Sequence, residues 1–250
     1  MANYRTQAIN LKSYNLGESD KIMVMYSRDH GLIRCVAKGV KKSTSSLGGR
    51  MQLLIANNLF LAKGRNMDIV CQAEVIDGFS NIRTDMTKLI YSFYCAELVT
   101  NFGTEHDPNC KNIYDILFEA LKNISVFSSL EEILWTVIRF KLKLTEQLGY
   151  AVEITGCVKC NETEGDYKFF CAESGGVICR KCNEKSYKTL EIDKKHLKIF
   201  RDALLYDFPD DKNEFDKESL YSCFNILKEY VSVRSDKKLK TPEMIETLCY

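Results

Sequence analysis

Four cysteines in the second half of the chain fall into two pairs, and two residues separate the members of each pair. The first pair is Cys157 and Cys160, the second is Cys179 and Cys182, and eighteen residues lie between the pairs. Two pairs at this spacing are typical of a site in which four thiolates hold one tetrahedral zinc ion. Because four thiolates leave no position open for water, the zinc ion is expected to be structural and not catalytic.

The chain contains eleven cysteines, a high and odd number. Its first residues lack the basic and apolar pattern of a signal peptide, and the sequence has no apolar run of the roughly 18 residues that a membrane span needs. We therefore expect a cytoplasmic protein with no membrane attachment, in which cysteines are more often metal ligands than disulfides. Disulfides and unrelated buried thiols remain the alternatives for the two pairs, and Cys171 is expected to be an unligated side chain.

The segment that holds the cysteine pairs has the turns of a small zinc ribbon. Residues 167–170 and 175–178 are patterned as a hairpin that joins the pairs, and Gly156, Asn161 and Asn183 supply turn residues. This segment also contains several cations. They are more simply interpreted as solvent-exposed surface charge than as contacts with phosphate. These cations are Lys159, Lys168, Arg180, Lys181 and Lys185.

The first 80 residues alternate between apolar and polar side chains and are punctuated by turns, which is typical of short antiparallel strands. The predicted strands cover residues 7–14, 21–27, 32–40, 51–62 and 68–79. Five short strands cannot bury both faces of a flat sheet, so closure into a small OB-type barrel is the simplest solution. Residues 41–50 are too polar and too rich in Gly and Ser to pack, and they are predicted to form a flexible basic loop.

The barrel segment is basic, although the whole chain carries a net charge of only +1. Residues 1–80 contain eleven Lys and Arg against six Asp and Glu, which gives this segment +5 and the remainder −4. This distribution favours binding of a polyanion, with generic surface charge as the alternative. Seven cations are candidate nucleic-acid contacts, and all of them except Arg34 lie in or beside two loops that can approach each other at one edge of the barrel. They are Arg34, Lys38, Lys41, Lys42, Arg50, Lys63 and Arg65.

Barrels of this type also bind single strands by stacking bases on aromatic rings. The available rings are Tyr4, Tyr14, Tyr26 and Phe60. Alternation does not show which of them point outward, so core packing is the default expectation for each ring.

After residue 79 the apolar period becomes helical. Helices are predicted over 85–102, from Asp107-Pro108 to about residue 124, and from the capping box of Ser129 and Glu132 to near residue 149. The apolar face of the third helix is so wide that a central, buried position is expected. Helical patterning resumes near residue 193 and covers 218–234 and 242–248, so the cysteine segment is an excursion from one helical domain.

These patterns predict an α+β, multidomain fold. A five-stranded OB-fold barrel occupies residues 1–80, and a mainly α-helical C-terminal domain occupies 81–150 and 189–250. The four-cysteine zinc ribbon is inserted into the helical domain at residues 151–188.

The sequence argues against an enzyme. It has no Gly-x-x-x-x-Gly-Lys-Ser/Thr loop for the phosphates of ATP. His30, His106 and His196 have no obvious nucleophile beside them and are expected at the surface. Asp210 and Asp211 form a carboxylate pair, but they lie in an acidic linker, and a metal-nuclease site is not favoured there.

Several segments together resemble the RecO family of recombination mediators, and the resemblance runs through most of the chain. The opening segments are 8–14 and 18–22, followed by Gly31-Leu32, by 37–42, and by Gly64 before the fifth strand. The second half adds both cysteine pairs and the run of residues 175–178 that leads to Cys179. The order and spacing of these segments are specific, although no single one is decisive.

The resemblance implies an N-terminal OB-fold, a helical domain and a four-cysteine zinc element within it. It also implies a non-enzymatic, nucleoid-associated DNA repair and recombination mediator that binds single- and double-stranded DNA and anneals complementary strands. Its partners would be RecR and single-strand DNA-binding protein (SSB), and indirectly RecA, which it would help to load on SSB-coated DNA. Lys38, Lys41 and Lys42 would then contact backbone phosphates.

Two other functions are compatible with the same residues. The chain could be a zinc-ribbon adaptor whose helical surface binds only proteins. It could also be an RNA-binding protein, because OB-folds serve both nucleic acids.

Overall fold

The computed structural model describes residues 3–185, 187–208 and 215–248 of the chain. These residues form two compact units. The first covers the described residues up to Ser125 together with Thr247 and Leu248, and the second covers the described residues of Val126–Glu246. The Asp210–Asp211 pair lies outside the described residues. No described helix is long and apolar enough to span a membrane.

Five strands close into a barrel in the first unit. They are β1 (Asn3–Leu16), β2 (Asp20–Ser27), β3 (Gly31–Ala37), β4 (Ala56–Ala62) and β5 (Asp68–Asp77). Their order around the barrel is β1-β2-β3-β5-β4, and β3 and β5 are the parallel pair. This arrangement is the five-stranded barrel that the alternating pattern predicts, and the OB-type fold is confirmed.

Alternate side chains of each strand fill the barrel, as the two-residue period of a strand requires. Met23 and Met25 on β2 and Cys35 on β3 are fully buried in this core. The turn between β2 and β3 needs glycine at Gly31, which has a φ of +67°. A Cβ atom there would lie 2.4 Å from the carbonyl oxygen of Thr104, so the backbone at Thr104 packs directly on this turn.

The connection between β3 and β4 packs against the barrel, so the prediction that residues 41–50 are too polar to pack is wrong. Leu47 and Met51 are 9% and 2% exposed and belong to the barrel core. The amide of Met51 donates to the carbonyl of Leu47, and this single helical turn points both side chains inward. The Asn10 side chain donates to the carbonyls of Arg50 and Gln52. Two apolar residues four positions apart therefore anchor a segment that is polar in composition.

The fourth strand begins at Ala56, five residues later than predicted. Leu54 has a φ of +60°, a left-handed conformation that interrupts an extended chain. Its amide donates to the carbonyl of Asn10, while the amide of Asn10 donates to the carbonyl of Ile55. The apolar residues before Ala56 are buried because they turn across the barrel, and not because they belong to a strand.

Six α-helices follow the barrel in the described part of the chain. They are α1 (Met86–Phe102), α2 (Cys110–Val126), α3 (Leu130–Gln147), α4 (Lys194–Leu205), α5 (Lys217–Arg234) and α6 (Thr241–Leu248). Several predicted ends are confirmed. Asp85 caps α1, Gly103 ends it, and Ser129 and Glu132 form the capping box of α3.

The third helix is the centre of the second unit, as its wide apolar face predicts. It packs against α4 and α5. Trp135 stacks on Phe215 with ring centroids 5.5 Å apart. Lys141 is completely buried and donates to the carbonyl of Phe224 at 2.7 Å, so its charge is held by a helix backbone within the core.

The cysteine segment forms a small sheet of three strands, one more than predicted. Strands β6 (Tyr167–Cys171) and β7 (Gly176–Cys179) form the predicted hairpin, and β8 (Leu190–Glu191) pairs with β6 on its other side. Glu153 bridges to Gly176, where a Cβ atom would lie 2.2 Å from the Glu153 carbonyl oxygen. The two-residue strand β8 is too short to give a periodic signal. The predicted division of the chain into four segments stays a prediction.

Candidate metal centre and nucleic-acid interface

The structure brings the four paired cysteines together. Their sulfur atoms all lie within 4.8 Å of one another, and Sγ of Cys160 is 3.8 Å from Sγ of Cys179. Cys157 and Cys179 are buried, whereas Cys160 is exposed and Cys182 is half-buried. One side of the cluster therefore faces the small sheet, and the other side faces solvent.

Local backbone geometry positions each cysteine pair. Asn161 has a φ of +58°, and its amide donates to the carbonyl of Cys157, which closes the first turn. The amide of Cys179 points at Sγ of Cys157 at 3.4 Å and links the two pairs directly. Amides that face sulfur stabilise a thiolate, which is the form that binds metal.

Without a bound cation, the thiols of the cluster differ in pKa. Burial opposes ionisation of Cys157, but amides of Cys179, Lys159 and Cys160 outweigh it and lower the pKa of Cys157 to about 6. Hydrogen bonding to Cys160 and Cys179 raises the pKa of Cys182 to about 12. Four sulfurs this close cannot all be ionised together unless a cation lies among them.

The donor set fits a tetrahedral zinc ion. Zinc bonds to sulfur of about 2.3 Å place the four ligands roughly 3.8 Å apart. The distance of 3.8 Å between the sulfurs of Cys160 and Cys179 agrees with this geometry. Cys171 is fully buried in the sheet and is not part of the four-cysteine group. The cluster can therefore hold one metal ion with no further protein ligand.

The predicted nucleic-acid contacts fall into three places on the first unit. Lys38, Lys41 and Lys42 lie just after β3, in a turn that meets the β1–β2 turn. The ammonium group of Lys41 donates to the carbonyl of Gly17 at 3.2 Å. Asp20 accepts the amide of Gly39 at 2.7 Å, and this bond, with the charges of Lys38 and Lys42, lowers the pKa of Asp20. The three lysines are exposed, and the barrel fixes the backbone beneath them.

The second place is a groove beside the β4–β5 turn, with a cavity volume of about 390 Å³. Arg34, Lys63 and Arg65 line it together. Arg34 also pairs with Glu105 at 3.3 Å. Three ring side chains, which sequence reasoning did not assign to this groove, complete its walls: Tyr4, His30 and His106.

Arg50 lies apart from the other six cations. It lines a separate groove on β1, β4 and β5, where Arg5 lies over the ring of Phe60 at 5.7 Å. The expectation that the six loop cations share one edge of the barrel is therefore only partly met. Within the β3–β4 connection, the Arg50 guanidinium donates to the carbonyl of Ser46.

The four candidate rings also separate by exposure. Tyr26 is fully buried, Tyr4 and Phe60 are half-buried, and Tyr14 is 48% exposed. The ammonium group of Lys12 lies 5.0 Å from the centre of the Tyr14 ring. Lys12 was absent from the predicted contacts, although its position two residues before an aromatic residue on one strand places both side chains on one face.

Comparison with known proteins decides the family. The family model described as the N-terminal part of recombination protein O matches residues 1–79, and the one described as its C-terminal part matches residues 83–243. The chain belongs to the RecO family. The resemblance seen in the sequence is thus confirmed across the barrel and the helical region.

Three relatives of this RecO-family chain each cover four fifths or more of its length. The DNA repair protein RecO of Desulforamulus reducens is 31% identical over 247 residues, which cover 98% of this chain and 94% of that protein. The DNA repair protein RecO of Pelotomaculum thermopropionicum is 33% identical over 202 residues, covering 81% of this chain and 77% of that protein. The protein of the same name from Acetivibrio thermocellus is 28% identical over 251 residues, covering 98% and 96%.

Proposed function

We propose that this RecO-family chain is a non-enzymatic mediator that binds single- and double-stranded DNA through its barrel and anneals complementary strands. The observation that carries the proposal is the turn of Lys38, Lys41 and Lys42, three exposed cations on a backbone that Asp20 and the carbonyl of Ser19 hold in place. Neutralising phosphates on both strands would lower the repulsion that opposes their pairing. The groove of Arg34, Lys63 and Arg65 would extend the same contact surface.

With RecR, the protein would help to load RecA on DNA coated by SSB, in the cytoplasm and associated with the nucleoid. Family membership supports this part of the proposal. The helical unit would recruit the protein partners. Annealing of SSB-coated strands with and without RecR, and co-elution with RecR on a sizing column, test it. Loss of annealing once SSB covers the strands, with RecR present, would contradict it.

The cysteine cluster would hold one structural zinc ion. Its four ligands form a closed set, so the ion would brace the small sheet and take no part in strand pairing. We accordingly place DNA binding on the barrel and not on the zinc element.

A strand-annealing assay with charge reversal tests the DNA site. The triple variant K38E/K41E/K42E is expected to lose at least about tenfold in affinity for DNA and to anneal correspondingly slowly, because each lost phosphate contact also becomes a repulsion. The matched control is K111E/K122E/K237E, which changes the net charge equally at three exposed lysines outside the barrel. Unchanged annealing in the first variant, or an equal loss of annealing in both variants, would contradict the assigned site.

The same binding assay separates the two rival functions. A marked preference for RNA over DNA of the same sequence would favour the RNA-binding alternative. Absence of salt-dependent binding to either nucleic acid would favour a protein-binding adaptor.

A further inference from the structure

The outer face of β1, β2 and β3 is organised in rows that cross the three strands. Paired residues on neighbouring strands point to the same side of a sheet, and Met23, Met25 and Cys35 point into the barrel. The residues between them therefore point outward. Three outward rows follow from the strand register: Ile9–Tyr26–Leu32, Lys12–Val24–Arg34 and Tyr14–Ile22–Val36.

Along β2, the middle strand of these rows, burial decreases from Tyr26 and Val24, which are buried, to Ile22, which is half-buried. Tyr26 in the first row is fully buried at the end of the sheet where α1 packs and where Gly103 approaches its ring. In the third row Tyr14 is 48% exposed, and Ile22 and Val36 are half-buried. The helix thus covers one end of the outer face and leaves the other end open.

The open end is bordered by cations on both sides of the third row. Lys12 and Arg34 belong to the adjacent row, and Lys12 lies 5.0 Å from the centre of the Tyr14 ring. On the other side β3 leads into the lysine turn that begins two residues after Val36. The five cations around this face are Lys12, Arg34, Lys38, Lys41 and Lys42.

Three carboxylates also face this region, and two of them are engaged. Asp20 accepts the amide of Gly39, and Glu105 pairs with Arg34. Glu18 lies exposed in the β1–β2 turn. Cations outnumber carboxylates here. The face is therefore complementary to a polyanion and not to a positively charged partner.

A half-exposed aromatic ring on an apolar floor, with cations on either side, has the composition of a stacking platform for unpaired bases. The β2–β3 face of an OB-type barrel is also where such barrels take oligonucleotides. We propose that Tyr14 stacks on an unpaired base of single-stranded DNA, with the flanking phosphates held by Lys12 and Arg34 on one side and by the lysine turn on the other. The Tyr14 row makes this barrel discriminate single strands from duplex.

The discrimination follows from what each form of DNA exposes. In a duplex each base already stacks on its neighbours, so a protein ring at the surface meets only phosphates and groove edges. In a single strand a base can turn out and cover the ring. This inference rests on the proposed DNA-binding function and assigns a separate part of it, since the lysine turn would hold phosphates of either form.

The first test is Tyr14→Ala in the full chain, with binding measured by fluorescence anisotropy on a thymidine oligonucleotide and on a duplex of equal length. Affinity for the single strand is expected to fall by roughly fivefold or more, since removing a stacking ring costs about 1–3 kcal/mol per base. Affinity for the duplex should change less than about twofold. Tyr14→Phe should recover the lost affinity, because it keeps the ring. Tyr150→Ala is the matched control, since Tyr150 lies in the second unit and is 49% exposed.

The second test reads stacking directly. Trp135 is the only tryptophan of the chain and is 1% exposed, so Tyr14→Trp introduces a reporter at the surface. Its fluorescence should be quenched by the thymidine oligonucleotide and not by the duplex. Absence of quenching, or a loss in Tyr14→Ala that is equal for both DNA forms, would overturn the stacking role.

The outcomes also separate this inference from the proposed function. If K38E/K41E/K42E loses binding to both DNA forms while Tyr14→Ala binds each form like the unmodified chain, the stacking role fails and the DNA site stands. If the lysine variant binds both forms normally, the proposed DNA site itself fails.

Discussion

The four-cysteine cluster and the outer face of the barrel show two ways of building a functional surface. In the cluster, two short turns each deliver two sulfurs, and all four lie within 4.8 Å of one another. On the barrel, Lys12, Tyr14, Arg34 and Val36 come from two strands that are not neighbours, and β2 brings them together. A site made of local turns tolerates little change in its ligands, whereas a site spread over a sheet loses its contacts one at a time.

The largest effect is expected from removing a buried sulfur of the cluster. Cys179→Ser is expected to lose the bound metal and to unfold the small sheet, because the free energy of zinc binding in a closed thiolate site is largely folding free energy. Zinc content and thermal unfolding measure both consequences. Cys71→Ser is the control, since Cys71 is exposed and stands outside the cluster.

Chelation of the metal should likewise cost folding of the second unit first and DNA binding only indirectly. Loss of DNA binding by a chelated protein whose circular dichroism is unchanged would show that the cluster contacts DNA after all. Retention of full zinc content in Cys179→Ser would contradict the ligand assignment.

The next effect concerns the residue that anchors the β3–β4 connection in the barrel core. Met51 is 2% exposed in the barrel core, so Met51→Ala should lower the free energy of unfolding by about 2–5 kcal/mol through the cavity it leaves. The exposed Ser46 in the same connection provides the control Ser46→Ala, which should be nearly neutral. Denaturant unfolding measures both variants. A neutral Met51→Ala would mean that Met51 does not anchor the β3–β4 connection in the barrel core.

A smaller effect is expected from neutralising the lysine turn without reversing its charge. K38A/K41A/K42A should flatten the slope of log affinity against log salt concentration by about 2–3 for duplex DNA, because each lysine at a phosphate contributes nearly one unit. Titrations at four salt concentrations provide the slope. An affinity loss with an unchanged slope would show that the three lysines act on folding and not on phosphate.

The smallest effect concerns the carboxylate that holds this turn. The amide of Gly39 lowers the pKa of Asp20 below its ordinary value of 3.8. A lowered pKa in the folded state gives stability that is present above the unfolded pKa and is lost as pH falls through the folded pKa. Asp20→Asn should therefore be slightly less stable at pH 7 and should lose less on acidification below pH 4 than the unmodified chain. Melting temperatures of the variant and the unmodified chain, measured at pH 7 and below pH 4, test this expectation. If the stability of the two proteins changes equally with pH, Asp20 does not have this role.

Local chemistry explains which predictions were correct. Asp85, Gly103 and the pair of Ser129 and Glu132 act on backbone groups within a few residues of themselves, so helix ends could be read directly from the sequence. The same holds for the cysteine pairs, whose spacing defines a turn. Alternation also predicted five strands and a barrel, because the period of a strand is two wherever one face is buried.

The sequence by itself determined the four cysteines of the cluster, the ends of several helices and the number of barrel strands, because each depends on residues close together in the chain. Only the tertiary structure decided that Leu47 and Met51 enter the core, that Arg50 lies apart from the other cations, and that Tyr14 is open while Tyr26 is covered. These outcomes depend on strand register and on which helix packs over which end of the sheet. Residues far apart in the sequence set both, and no local pattern records them.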